Sequence, residues 1–191
     1  MSKHSTAKLF PTGAALLAAA LFAAAPAMAQ SSSDEYDQAL QGFELRLGLL
    51  EHDVGLLPKR NYEDGLSING ELAFAPLGSY GRAAFRPVIG GSVSTEGRTN
   101  FAYADMRAEV LWDRIFFGVG LGAAIHDSKL RRTAHEKDLG SRVLFHVPAE
   151  VGFQITPNNR LSVYYEHLTN FGLDKDNQGL DNLGVRFAHR F

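Results

Sequence analysis

The last ten residues, Asn182-Leu183-Gly184-Val185-Arg186-Phe187-Ala188-His189-Arg190-Phe191, decide the fold class. Successive side chains of a strand point to opposite faces. Leu183, Val185, Phe187 and Phe191 therefore share one face with His189, while Asn182, Gly184, Arg186, Ala188 and Arg190 take the other. Upstream, Leu161, Val163, Tyr165, His167 and Thr169 oppose Arg160, Ser162, Tyr164 and Glu166 in the same way. Working back along the chain, strands are read at 43–53, 64–75, 82–94, 99–112, 114–126, 140–155, 159–169 and 181–191. Each approaches or exceeds the roughly 9–11 residues that a tilted membrane-spanning strand requires. Leu57-Pro58-Lys59-Arg60-Asn61, residues 76–81, Thr95-Glu96-Gly97-Arg98 and Thr156-Pro157-Asn158-Asn159 are turn chemistry, and Asp113-Arg114 is a tighter break.

The rest of the chain narrows the choices. Lys3 and Lys8 precede an apolar run from Gly13 to Ala25, and Ala27-Met28-Ala29 is a small-residue cleavage site. Residues 1–29 read as a cleaved secretory signal peptide, because the run is shorter than the ~18 residues of a spanning helix. Residues 30–191 then form one domain. The chain has no Cys, so a disulfide framework and thiolate chemistry are excluded. A formal charge of −2 gives no reason to expect nucleic acid. His52, His126, His135 and His146 lack zinc-ligand spacing, and no metal or other cofactor is expected. A secretory signal without a later membrane helix, an even strand count and an aromatic last residue favour an all-β fold. The expected form is an eight-stranded antiparallel outer-membrane β-barrel with up-and-down meander topology. A water-soluble lipocalin-like barrel or sandwich is the alternative. In the membrane form both termini face the periplasm, the 170–180 loop is extracellular, and Arg107, Glu150, Glu166 and Arg186 pair inside the barrel.

Chemistry concentrates at one rim. His167 and Thr169 share a face at the end of one strand, and Asp181 begins the next in phase with Leu183. A hydroxyl, an imidazole and a carboxylate are the parts of acyl transfer: nucleophile, general base and orienting acid. Asn170 could supply an oxyanion donor, and Gly172 and Gly179 allow tight turns. A titratable cluster on a lipid-facing wall suits a substrate that is itself a lipid. The competing reading is a belt of His and Tyr at headgroup level, with Thr and Asp as turn residues. A second His-x-Ser, His126 to Ser128, lacks the following Asn and a spaced acid and reads as loop chemistry. Lys129, Arg131, Arg132 and Lys137 crowd the 128–139 loop. They are either a solvated surface or contacts to substrate phosphates, for which Arg forks are suited.

The run Tyr165-x-His-x-Thr-Asn-x-Gly-Leu-x-x-x-Asn-x-Gly-Leu-Asp181 resembles the C-terminal motif of the lipid A 3-O-deacylases, the PagL-type acyloxyacyl hydrolases. His167, Asn170, Gly172, Asn177 and Gly179 fall at the family's positions, while Thr169 stands where the family has Ser and Asp181 where it has Glu. The resemblance covers about 17 residues. It implies an eight-stranded outer-membrane barrel whose site faces the outer leaflet. The resemblance also implies that the protein, without metal, removes the ester-linked acyl chain at position 3 of lipid A in lipopolysaccharide. The added methyl of Thr169 and the shorter reach of Asp181 are departures from the family inside the triad, and a non-catalytic small barrel with a structural or surface-binding role is the rival. The sequence leaves a homodimer open.

Overall fold

In the computed structural model, residues 42–57, 63–128, 130 and 137–191 are described. The segment read as a signal peptide, the polar stretch after it, and Arg131 and Arg132 lie outside them. The strands are β1 (Glu44–Glu51), β2 (Leu66–Ala73), β3 (Gly78–Tyr80), β4 (Ala83–Ser94), β5 (Phe101–Trp112), β6 (Ile115–His126), β7 (Val143–Thr156), β8 (Asn159–Thr169) and β9 (Leu180–Arg190). Eight of them form an antiparallel meander closed on itself. β9 pairs with β1 and β2 pairs with β4, so the described barrel strands have no free edge. The short β3 was not expected. It folds back on the start of β4, with Tyr80 opposite Ala83, inside the segment read as a plain loop.

Register fixes which face is inside. Leu45, Leu47 and Leu49 of β1, Leu161 and Val163 of β8, and Val185 and Phe187 of β9 are all exposed on the outer wall. The alternate residues are buried and polar or charged: Glu44, Arg46, Arg160, Ser162, Glu166 and Arg186. This is the inverse of a water-soluble barrel and the pattern of a lipid-facing one.

Buried charges need partners. Arg46 bridges Glu44 at 2.6 Å and Glu71 at 2.9 Å, and also reaches Glu109. Glu71 in turn accepts from Arg107 at 2.6 Å, Arg186 at 3.0 Å and the Tyr103 hydroxyl at 2.9 Å. Arg186 also pairs with Glu150 and lies 3.7 Å from the centre of the Tyr164 ring. The interior placement of Arg107, Glu150, Glu166 and Arg186 therefore agrees with the sequence reading. His146 stacks on Tyr103 at 4.0 Å, with its ring nitrogens against Asp105 and Glu166.

The two ends differ. Glu44 of β1 opposes Arg190 of β9 at the end that carries both termini, whereas Glu51 opposes Leu183 at the other. At the termini end β5–β6 and β7–β8 are joined by two-residue turns, and Asp113 adopts a left-handed φ of 54° that makes the first of them possible. At the opposite end the connections 52–65, 95–100, 127–142 and 170–179 are longer.

Candidate active site

β8 delivers His167 and Thr169 to the long-loop rim, and β9 brings Asp181 there as its second residue. The antiparallel register sets His167 directly opposite Asp181. The imidazole Nδ1 is hydrogen-bonded to the Asp181 carboxylate. Two further donors hold that carboxylate: the Tyr165 hydroxyl at 2.8 Å on Oδ1 and the Leu57 amide at 2.7 Å on Oδ2. The Val54 amide donates to the Asp181 carbonyl at 2.8 Å.

Asp181 keeps the outward phase expected of it, yet it is fully buried. The 52–57 stretch folds over the rim and covers it, which removes the cost of a bare carboxylate on a lipid-facing wall. The His167 side chain stays 14% exposed. Gly179 stands behind the ring with φ +65°. A Cβ there would lie 3.0 Å from His167 Cε1, so a side chain would press on the imidazole and strain the left-handed backbone, and glycine lets the two pack closely.

Thr169 lies two residues beyond His167 on the same strand. Its hydroxyl engages Asn177, accepting from Nδ2 at 3.1 Å and donating to Oδ1 at 3.3 Å, and accepts from the Phe171 amide at 3.0 Å. No hydrogen bond joins it to His167 among the described residues. Asn170 orders the loop. Its Nδ2 donates to the Asp176 carbonyl at 2.7 Å and the Leu139 carbonyl at 3.2 Å, and its Oδ1 accepts from the Gly172 amide at 2.7 Å. Gly172 takes a left-handed φ of 79° to make that turn. Leu56, Leu57, Phe171 and Leu173 are exposed around the site, with the Phe171 ring 4.8 Å from Phe145. The rim therefore presents an imidazole–carboxylate pair beside a hydroxyl, set in apolar surroundings.

The chemistry fits one family. Residues 77–190 match the model of the lipid A 3-O-deacylase (PagL) family. The chain belongs to this family. The lipid A deacylase PagL of Bordetella bronchiseptica is 30% identical over 79 residues, which cover 41% of this chain and 43% of that protein. The match thus spans less than half of the relative's length. The crystal structure of the outer membrane enzyme PagL superposes with a TM-score of 0.59 at 14% identity, covering 78% of this chain and 99% of that one. This likeness speaks for the fold, a closed eight-stranded antiparallel barrel.

One reading from sequence is corrected. Lys137, grouped with the loop cations that could meet substrate phosphates, is wholly buried. Its ammonium pairs with Asp53 and donates to the Gly179 carbonyl at 2.8 Å. Glu63 closes the same network. It accepts from the Lys137 amide at 2.9 Å, the Thr99 amide at 3.0 Å and the Thr99 hydroxyl at 2.9 Å, and it pairs with His52 at 2.8 Å. Burial by itself would raise the Glu63 pKa. The hydrogen bonds from His52, Lys137 and Thr99 outweigh it and hold the carboxyl at about 2. Four loops are thereby locked over the barrel mouth, bringing together residues up to 84 positions apart. Tyr165 carried a weak sequence signal as the same-face neighbour of His167. The Leu57 amide carried none.

Proposed function

We propose that this family member hydrolyses the ester holding the 3-hydroxyacyl chain at position 3 of lipid A. Thr169 is the nucleophile, His167 the general base and Asp181 the orienting acid. The observation that carries the reading is the His167–Asp181 pair. A carboxylate on Nδ1 sets the tautomer that leaves Nε2 able to accept a proton, and it stabilises the imidazolium that results. In the first half-reaction Thr169 Oγ1 bonds to the ester carbonyl carbon as its proton passes to His167 Nε2. The tetrahedral adduct then expels the sugar alkoxide, which takes the proton back. Water repeats the sequence on the acyl-threonine and releases the 3-hydroxy acid. To enter this cycle the Thr169 hydroxyl exchanges Asn177 for the imidazole, an adjustment typical of sites that tighten on substrate binding. The surrounding Leu56, Leu57, Phe171 and Leu173 suit an acyl chain.

The same reading takes residues 1–29 as a leader removed on export and places the barrel in the outer membrane with the His167 rim at the outer leaflet. The two-residue turns joining β5–β6 and β7–β8 at the termini end, against the long 52–65, 127–142 and 170–179 connections at the site end, support that orientation. The Asn177-bound Thr169 hydroxyl favours the rival, a barrel that has lost catalysis. A mass spectrum of lipid A from cells with and without the protein decides between them. Loss of one 3-hydroxyacyl chain is expected, abolished by His167→Ala and Thr169→Ala and retained by Thr169→Ser. Unchanged lipid A beside a folded barrel would reject the enzyme.

A further inference from the structure

The rim contains a buried cation that this mechanism does not use. Lys137 is 0% exposed, and its ammonium is held between Asp53 of the first long loop and the carbonyl of Gly179 at the end of the last. Both halves of the ion pair reach the neighbours of Asp181. Gly179 stands two residues before it and backs the His167 ring. On the other side, the Asp53 amide donates at 3.1 Å to the side-chain oxygen of Asn182, the residue after Asp181. Leu57, which donates to Asp181 Oδ2, is four residues beyond Asp53 on the same loop. Lys137 and Asp53 therefore straddle the acid, one from each side.

We propose that Lys137 is a positioning residue: its ammonium, anchored on Asp53, fixes the Gly179 carbonyl and the 52–57 loop and so holds the His167–Asp181 pair in register. The assignment rests on the deacylase reading for its kinetic consequence but not for its structural one. Without the ammonium, the Asp53 carboxylate loses a buried ion pair and the Gly179 carbonyl loses a donor. The loop then moves, and with it both the Leu57 donor and the backstop of the imidazole. Displacements of about 1 Å at a reacting group lower rates by roughly 100-fold.

The test uses the full chain in detergent micelles, as Lys137→Met and as Lys137→Met/Asp53→Asn. The double variant removes both charges of the ion pair together, so it separates loss of the tether from the cost of a weakened buried pair. Asn also tolerates the left-handed φ of 55° at position 53. Folding is checked by the mobility difference between heated and unheated samples on a gel. Nitrogen-15 histidine spectra locate the His167 Nδ1 proton, assigned by its loss in His167→Ala. In both variants this signal is expected to shift or broaden. The kcat for lipopolysaccharide deacylation per folded molecule is expected to fall roughly 100-fold with little change in KM. An unmoved signal with wild-type kcat in both variants overturns the proposal, as does a rate loss accounted for by a smaller folded fraction. If the wild-type protein fails to deacylate lipopolysaccharide, the deacylase reading falls and the spectra alone decide the role of Lys137.

Discussion

Asp181→Asn changes one atom in a closed environment, and its effect can be worked out from the donors around it. Oδ1 receives the His167 ring and the Tyr165 hydroxyl, and Oδ2 receives the Leu57 amide. An amide side chain satisfies only one of those two sides. With its oxygen toward His167, its NH2 faces the Leu57 N–H, and an unmade buried hydrogen bond costs about 1–3 kcal/mol. That cost drives the flipped orientation. There the NH2 points at Nδ1, which can accept it only when the ring proton has moved to Nε2. A ring protonated at Nε2 cannot take the Thr169 proton. Neither orientation offers a negative charge to the imidazolium. The matching substitution in a serine hydrolase triad lowers kcat about 10⁴-fold through the same tautomer error. The expected loss here is on the order of 10³–10⁴-fold in kcat, equivalent to about 4–5.5 kcal/mol of barrier. KM changes little, because the buried carboxylate does not touch substrate. The assay is release of 3-hydroxy acid from purified lipopolysaccharide in micelles, followed by mass spectrometry and normalised to folded barrel. A kcat within tenfold of wild type would refute the argument and leave Asp181 as an anchor for the 52–57 loop.

Two other changes probe the frame around the site. Glu63 ionises at about 2 in the folded protein against an ordinary 4.5, so its contribution is complete above about pH 4.5 and disappears as pH falls through 2. The shift corresponds to about 3 kcal/mol. Glu63→Gln should therefore lower the unfolding temperature at pH 7, and the gap from wild type, measured by circular dichroism, should close toward pH 2. A gap that is constant with pH would count against the ionised carboxylate. Arg46→Ala removes a guanidinium shared by Glu44, Glu71 and Glu109, but each keeps other arginine partners, so it should destabilise the barrel by less than the roughly 3–5 kcal/mol of an unpaired buried charge. Deacylation per folded molecule should be unchanged, because Arg46 lies toward the end away from His167. A fall in that specific rate would tie the lumen to the chemistry.

Alternation made the wall of this barrel legible. Leu161 to Thr169 and Leu183 to Phe187 lie where period two puts them, because one face meets an apolar surrounding and the other a charged interior. The same periodicity placed His167 and Asp181 on one face, and register did the rest. β3 escaped because its pairing depends on a hairpin between two breakers rather than on a hydrophobic pattern. Lys137 was misread because a cation in a polar loop looks solvated until its partner is known, and Asp53 lies 84 residues away. The burial of Asp181 was hidden for a related reason. Its cover is the backbone of Leu57, and an amide has no sequence signature. What remained unreadable was therefore contact between distant loops.

The packed lumen has a consequence for access. Arg46, Arg86, Arg107, Arg160, Arg186 and Tyr164 occupy the space that a porin leaves to water. Arg46 of β1 reaches Glu109 of β5 and Arg186 of β9 reaches Glu71 of β2, so these side chains brace the wall from within as a stanchion does. An inhibitor of the proposed site would meet His167 at the loop rim among the exposed Leu56, Leu57, Phe171 and Leu173, so its oil–water partitioning would bear on potency as well as its fit.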